Sequence, residues 1–503
     1  MMTWVRAQVS AGLLALGLFV TAIFPMNNLV VAQPTPPPTP REFRGVWITT
    51  AWGLDWPSNE GLSNDQQKAE LVKILDAAQQ ANLNAIIFQV RSMGDATYPT
   101  DLAPWSSVIM GKTGVGPSPA YDPLEFAIRE SHARGMEFHA WLNPFRVGTP
   151  NATFPPSHIS NQQPGIVRKY GKHLWLDPTD ERSHRHLLAV VRELVSRYDL
   201  DGIHFDDYFY PYPEKGVPFD DNANWQKYLQ SGGKLTRSDW RRERVNTFVS
   251  AVNKEIKAIK PHVRFGISPF GIWQPGYPEG ITGLNAHEEL YADARKWFQD
   301  GSVDYLAPQL YWEIGKKGQE FPKLLDWWIS QNTRKRHLWI GLNTIKYVNG
   351  KDDELRMSEL MNQIQLTQQR KGSTGQIHFR AQTFDRNTER IVQELKAKSY
   401  RVPALPPATT WLDATAPGAP TASLGNARSD GGRMLSWKSA PGEKPLRYVL
   451  TSRRGGQWFV NVYGDNKSSL LLPADVLSSL EYLGLSAVDS AGNESARTVI
   501  TIP

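Results

Sequence analysis

Between Arg41 and Arg401, short apolar runs alternate with longer stretches in which apolar residues recur at helical spacing. Eight runs read as strands: FRGVWIT from Phe43, NAIIFQVRS from Asn84, EFHAWLNPF from Glu137, GIHFDDYF from Gly202, RFGISPFG from Arg264, DYLAPQLYW from Asp304, HLWIGLNTI from His337 and QIHFRAQTF from Gln376. Segments between them, such as QQKAELVKILDAAQQA (Gln66 to Ala81), place apolar residues three or four apart, the period of a helix with one buried face. Strands buried on both faces are nearly continuous apolar runs, and these are, up to their C-terminal ends. Eight strand–helix alternations over about 360 residues predict an α/β fold, a (β/α)8 barrel with enlarged loops, at 41–401.

The pattern changes at both ends of the chain. Residues 1–32 carry one charge, Arg6, then an apolar run from Val9 to Phe24 and the small-residue site Val30-Val31-Ala32. That is the layout of an export signal peptide. Its apolar core of about 16 residues is shorter than the roughly 20 needed to cross a bilayer, so a cleaved signal is expected rather than a retained anchor. The expectation is an exported protein, periplasmic or extracellular, that is not integral to the membrane after cleavage. Residues 33–40 (QPTPPPTP) form a proline-rich linker, extended and semi-rigid. A second linker spans 402–418.

From 419 to 503 the chain switches to short alternating strands: MLSWKS around Trp437, LRYVLTSR around Tyr448, QWFVNVYG around Trp458 and YLGLSAVDSAGNES from Tyr482. Strand signals every ten or so residues, bounded by turn formers, predict a small β-sandwich. The placing of Trp437, Tyr448 and Tyr482, with the ending AVDSAGNES, resembles a fibronectin type III domain. The resemblance implies a spacer or adhesion unit, with contacts to envelope proteins, rather than a catalyst.

Composition narrows the chemistry. The 56 Lys and Arg exceed the 50 Asp and Glu by six, too few for a nucleic-acid-binding stripe. There is no cysteine, which removes disulfides, thiolate metal sites, cysteine nucleophiles and an N-terminal lipidated cysteine. The chain has no HExxH, GxxxxGK[ST] or GxSxG motif, and its histidines are scattered. No cofactor and no metal are predicted. The 18 tryptophans are the outlying number, and Trp47, Trp52, Trp56, Trp105, Trp141, Trp273 and Trp312 fall at or just beyond predicted strand ends.

Barrels of this kind carry their sites at the C-terminal mouth. The residues collected there are Arg44, Trp47, Gln89, Arg91, Asn143, His204, Asp206, Asp207, Tyr208, Trp273, Gln309, Tyr311, Trp312, Glu313, Asn343, Arg380 and Gln382. Strand side chains alternate. His204, Asp206 and Tyr208 therefore share a face of the fourth strand, with Asp207 on the other, and Gln309, Tyr311 and Glu313 share a face of the sixth. Two carboxylates projecting into one pocket among aromatic rings suggest glycoside hydrolysis, in which one protonates the leaving oxygen and the other attacks C1 or activates water. The assignment is Asp206 as nucleophile, or base if the reaction inverts, and Glu313 as general acid/base; the other residues bind a polysaccharide. The plainer alternatives are an Asp206 paired with Arg44 or Arg380 and a solvated Glu313.

The stretch YDLDGIHFDDYFYPYP from Tyr198 resembles the fourth strand of several barrel glycosidases. In amylase-type enzymes the acid matching Asp206 is the nucleophile, with a basic residue two positions earlier; His204 takes that place here. Chitinase-type enzymes share the Asp-Gly start but need a Glu where this chain has Tyr208, which argues against their substrate-assisted chemistry. The whole barrel is similar to the bacterial family-10-like glycosyl hydrolases, formerly a domain of unknown function. The likeness rests on REFRGVWITT from Arg41, NAIIFQVRSMGDATYPTDLAPWS from Asn84, GMEFHAWLNPFRV from Gly135, LWLDPTD from Leu174, GISPFGIW from Gly266, DYLAPQLYWEIG from Asp304 and GLNTIKY from Gly341. It runs in order from Arg41 to Tyr400. The resemblance, including that to a divisome-localised member, implies a cell-wall substrate: peptidoglycan glycan strands stripped of stem peptides. A non-catalytic glycan-binding envelope protein, or an α-glucan or exopolysaccharide hydrolase, are the alternatives.

Overall fold

The computed structural model describes residues 35–348, 353–386, 388–442 and 444–502. All eight predicted runs form strands: β1 (Phe43–Ile48), β2 (Ala85–Arg91), β3 (Glu137–Leu142), β4 (Gly202–Phe205), β5 (Arg264–Ile267), β6 (Tyr305–Leu306), β7 (His337–Leu342) and β8 (Gly375–His378). Each pairs in parallel with its neighbour in the sequence, and β8 closes on β1. Helices follow the strands around the outside, among them Asn64–Gln80, Pro123–Ala133, Glu181–Arg197 and Arg237–Ile259. Their starts are encoded locally. Ser63 and Gln66 exchange side-chain and backbone hydrogen bonds as a capping box, and Asp122, Asp180 and Thr236 accept from backbone amides of their own first turns.

Alternation along the strands divides two cores. Phe43, Trp47, Ala85, Ile87, Trp141, Tyr305, Trp339 and Ile377 fill the barrel interior. Val46, Ile48, Ile86, Phe88, Phe138 and Ala140 belong to the layer under the helices. Inside, the Phe43 and Trp339 rings stack with centroids 3.5 Å apart, and Trp339 stacks on Tyr305 at 4.1 Å. The barrel is a packed solid whose only free end chemistry lies at its rims.

The C-terminal region is all-β. Thr421–Leu424, Arg433–Lys438 and Ser469–Leu472 make one antiparallel sheet; Arg447–Arg454, Gln457–Gly464, Leu480–Val488 and Thr498–Val499 make the other. Leu435, Trp437, Tyr448, Leu450, Leu483 and Leu485 share one core between them. This sandwich is seated on the barrel's N-terminal end. Glu137 and Arg264 open β3 and β5, and Glu137 accepts from Arg264 (2.7 Å) and from the sandwich's Arg447 (3.4 Å), all three fully buried. The stretch expected to be a linker at 402–418 is part of the same seam. Thr409 Oγ1 accepts from Arg264, and Trp411 Nε1 donates to Asp304 (2.9 Å) while its ring lies under the Arg336 guanidinium. The end of the proline-rich segment is packed as well: Arg497 donates to the Pro37 carbonyl, and Thr39 to Glu494. The expected signal at 1–32 lies outside the described residues. Among the described residues no helix is long and apolar enough to cross a membrane.

Candidate active site

Asp206 follows directly from β4 and is 9% exposed at the centre of the mouth. Its Oδ1 accepts from the Asp207 amide (2.9 Å) and from Gln309 Nε2 (3.3 Å), and Gln309 also donates to the Ser268 carbonyl (2.9 Å). Burial first, then the charge of Asp207, pushes the Asp206 carboxyl well above the usual carboxylate range. Asp207 is raised too, chiefly by burial, and is relieved by the Tyr212 hydroxyl that donates to it and by its hydrogen bond to Asp206. Two buried acids this close do not ionise independently, so the pair holds a proton more tightly than a lone acid, and Asp206 is the more strongly raised of the two. Tyr311 stands close by, its ring against Phe379, its hydroxyl pushed up by burial and by both acids.

Beneath Asp206 a hydrogen-bonded column runs down the barrel axis. Trp47 Nε1, which can only donate, gives its hydrogen to His204 Nε2 (3.2 Å), which Ser268 Oγ also approaches (2.9 Å). Burial keeps His204 neutral, so Nδ1 carries its proton and donates to Tyr305 Oη (3.0 Å). Tyr305 donates on to His139 Nδ1 (3.0 Å), and His139 Nε2 to Glu137 (3.3 Å). Trp47 and His204, expected at the sugar, are instead 2% and 0% exposed and form the floor under the site.

Several other expected ligand contacts build a loop. Gln89 Oε1 accepts from the amides of Thr50 (3.1 Å) and Ala51 (2.9 Å). Asp55 Oδ1 accepts from Arg380 (2.7 Å) and from the Gln382 amide (2.8 Å), and Gln382 in turn accepts from Arg380. Together they clamp the turn after β1, where Trp52 sits at φ 54° with its ring 63% exposed. Arg91 and Asn143 knit the loops after β2 and β3: Arg91, fully buried, donates to the carbonyls of Asn143 and Pro144, and Asn143 to that of Ser92. Arg44 does not reach the mouth. It faces outward from β1, donates to Glu42 (2.7 Å) and the Val402 carbonyl (2.8 Å), and covers the Tyr400 ring.

Glu313 departs most from expectation. Regular β6 ends at Leu306, so strand alternation does not carry as far as residue 313. The Glu313 side chain is 42% exposed on the rim, paired with Lys346, whose hydrogen bond holds the carboxyl below its usual range. Asn343 accepts from the Lys346 amide in the same turn. Trp312 packs edge-on to Phe270, and Trp273, nearly buried, donates to Asp293. Of the expected set, the structure gathers Asp206, Asp207, Tyr208, Gln309 and Tyr311 around one centre and leaves Glu313 and Asn343 on its rim.

Trp52, noted in the sequence only among the tryptophans near strand ends, and Arg146, not singled out at all, complete that centre. Arg146 is the residue that sequence reasoning missed. Arg146 begins the short strand Arg146–Gly148 and lies 4.1 Å over the Tyr208 ring. The only signal for it was its position just past the end of β3, in the stretch LNPFRV.

The family model described as Glycosyl hydrolase-like 10 matches residues 42–355. Glycosyl hydrolase YngK of Bacillus subtilis (strain 168) is 39% identical over 81% of this chain and 80% of its own length. Glycosyl hydrolase DigH of Escherichia coli O6:H1 is 34% identical over 72% of this chain and 89% of its own. Among solved structures, the α-L-fucosidase isoenzyme 2 from Paenibacillus thiaminolyticus aligns with 71% of this chain and 49% of its own, at 14% identity and a TM-score of 0.45. With five-eighths of its length matched by the family model and relatives similar over most of both chains, the protein belongs to the glycosyl hydrolase-like 10 family.

Proposed function

We propose that the protein is an exported glycoside hydrolase that cleaves cell-wall glycan, in particular peptidoglycan strands freed of their peptides. The observation that carries the catalytic part is the buried Asp206–Asp207 pair, held by Gln309 at the open end of a packed barrel. A carboxyl whose hold on its proton is raised by burial and by a neighbouring acid is suited to protonate a glycosidic oxygen. Glu313, held ionised by Lys346 on the rim of the mouth, is suited to act as the base or nucleophile. This exchanges the roles expected from strand position alone. Trp52, Tyr208 and Tyr311 offer ring faces to sugars. The cell-wall substrate and the periplasmic or extracellular location rest on the family likeness and on the signal-like first 32 residues, which would carry the enzyme to that polymer.

The test is incubation with peptide-free peptidoglycan glycans, chitin oligomers and α-glucans, followed by mass analysis of the products. New reducing ends are expected from the first. Asp206→Asn and Glu313→Gln should each lower the rate about 10²–10⁴-fold. An aryl glycoside with a good leaving group should restore turnover in Asp206→Asn only, because such a group needs no proton. Full activity of both variants would overturn the assignment. Glycan binding without new ends, unchanged by Asp206→Asn, would make the protein a binding module instead.

A further inference from the structure

Arg146 is 7% exposed, and its surroundings are aromatic: the Tyr208 ring at 4.1 Å and those of Trp52 and Trp175 each at 5.9 Å. Its Nε is buried without a hydrogen-bond partner, and no carboxylate among the described residues closes on it as an ion pair. Asp206 and Asp207 feel its charge without reaching ion-pair distance, and a guanidinium taken out of water with a nitrogen unpaired is costly, a cost that an incoming acceptor with negative charge would offset. Ring faces hold the guanidinium plane in place, and its fork fits a carboxylate with two parallel hydrogen bonds. A singly charged anion fits better than a doubly charged phosphate, because the repulsion from the neighbouring Asp207 grows with the charge of the ligand.

We propose that Arg146 determines specificity by binding the carboxylate of an acidic sugar in the glycan, placed beside the bond whose oxygen Asp206 protonates. The inference rests on the cell-wall reading above and deepens it. In peptidoglycan the acidic group is the lactyl ether of N-acetylmuramic acid. While a stem peptide is attached, that group is a neutral, bulky amide; once the peptide is gone, it is a free carboxylate. Arg146 would thus distinguish bare strands from peptide-bearing ones through a single functional group, with Trp52 and Tyr208 covering the adjoining ring face.

The full-length Asp206→Asn protein, which binds without turnover, is titrated calorimetrically with four saccharides of equal length. These are alternating N-acetylglucosamine and N-acetylmuramic acid with free lactyl carboxylates, the same chain with those carboxylates converted to amides, an N-acetylglucosamine oligomer, and a uronic acid oligomer. The free acid is expected to bind about 10- to 100-fold tighter than its amide, the range of a charge-assisted hydrogen bond. Adding Arg146→Gln should bring that ratio close to one, and Arg146→Lys should keep part of it. Equal binding of acid and amide overturns the inference and leaves the glycan reading intact. Tight binding of the uronic acid oligomer alone keeps Arg146 as a carboxylate receptor and overturns the cell-wall reading. No binding of any of the four overturns both. The acid–amide comparison needs no change at Arg146, so a variant that fails to fold does not remove the test.

Discussion

Trp47 and Trp52 are five residues apart and have opposite environments. Trp47 points into the barrel and spends its indole N–H on His204, whereas Trp52 stands in a left-handed turn with most of its ring in water. The excess of tryptophan therefore marks packing for the most part. Trp56, Trp141 and Trp273 are buried too, and among the described residues Trp52 alone is exposed. Their positions near strand ends were legible, but which ring reaches solvent depends on a backbone turn that no periodicity encodes. A left-handed φ at a bulky residue costs about 1–3 kcal/mol and persists only where neighbours impose it; Gln89 and Asp55 do so here. Removing the ring with Trp52→Ala should raise KM roughly 5- to 20-fold with little change in kcat, the mark of lost sugar stacking. Equal loss in both constants would place Trp52 at the transition state instead.

Between elements, the parallel strands were fully readable, because continuous apolar runs separated by amphipathic helices admit few other folds. Glu313 was misplaced because alternation was extended seven residues beyond a strand that ends at Leu306. The seam between sandwich and barrel was invisible for a different reason. Arg447 and Glu137 are 310 positions apart, and a charge pair at that separation leaves no local trace. Burial alone would raise Glu137, but Arg264, His139 and Arg447 outweigh it and hold the carboxyl low, so all three contribute to keeping it ionised in the interior. Arg447→Met leaves one cation fewer against a buried acid. Urea unfolding should show a loss of about 3–5 kcal/mol. A change within a few tenths would mean that Arg264 alone suffices and that the sandwich is only an appendage.

For the molecule as a whole, family membership gives the class of protein and the geometry of the mouth gives the proposed site. The sequence likeness implies the proposed polymer class; the side-chain arrangement supplies the group that would carry the proton. Asp206 is raised, so the form needed for acid catalysis persists from acid pH upward and is lost as pH rises through its elevated value. kcat/KM should therefore fall on the alkaline side, and Asp206→Asn should abolish that limb for activated substrates. A limb unmoved in Asp206→Asn would assign the proton elsewhere.

The capped barrel floor adds a constraint on timing. The column below Asp206 ends at Glu137, sealed from water by Arg264 and the sandwich's Arg447. Among the described residues the floor of that column is closed, so on the proposed reading Asp206 exchanges its proton at the mouth, where a glycan would bind. A strand bound there would cover that opening. Asp206 would then have to hold its proton before the chain arrives, and to regain it only after a product has left.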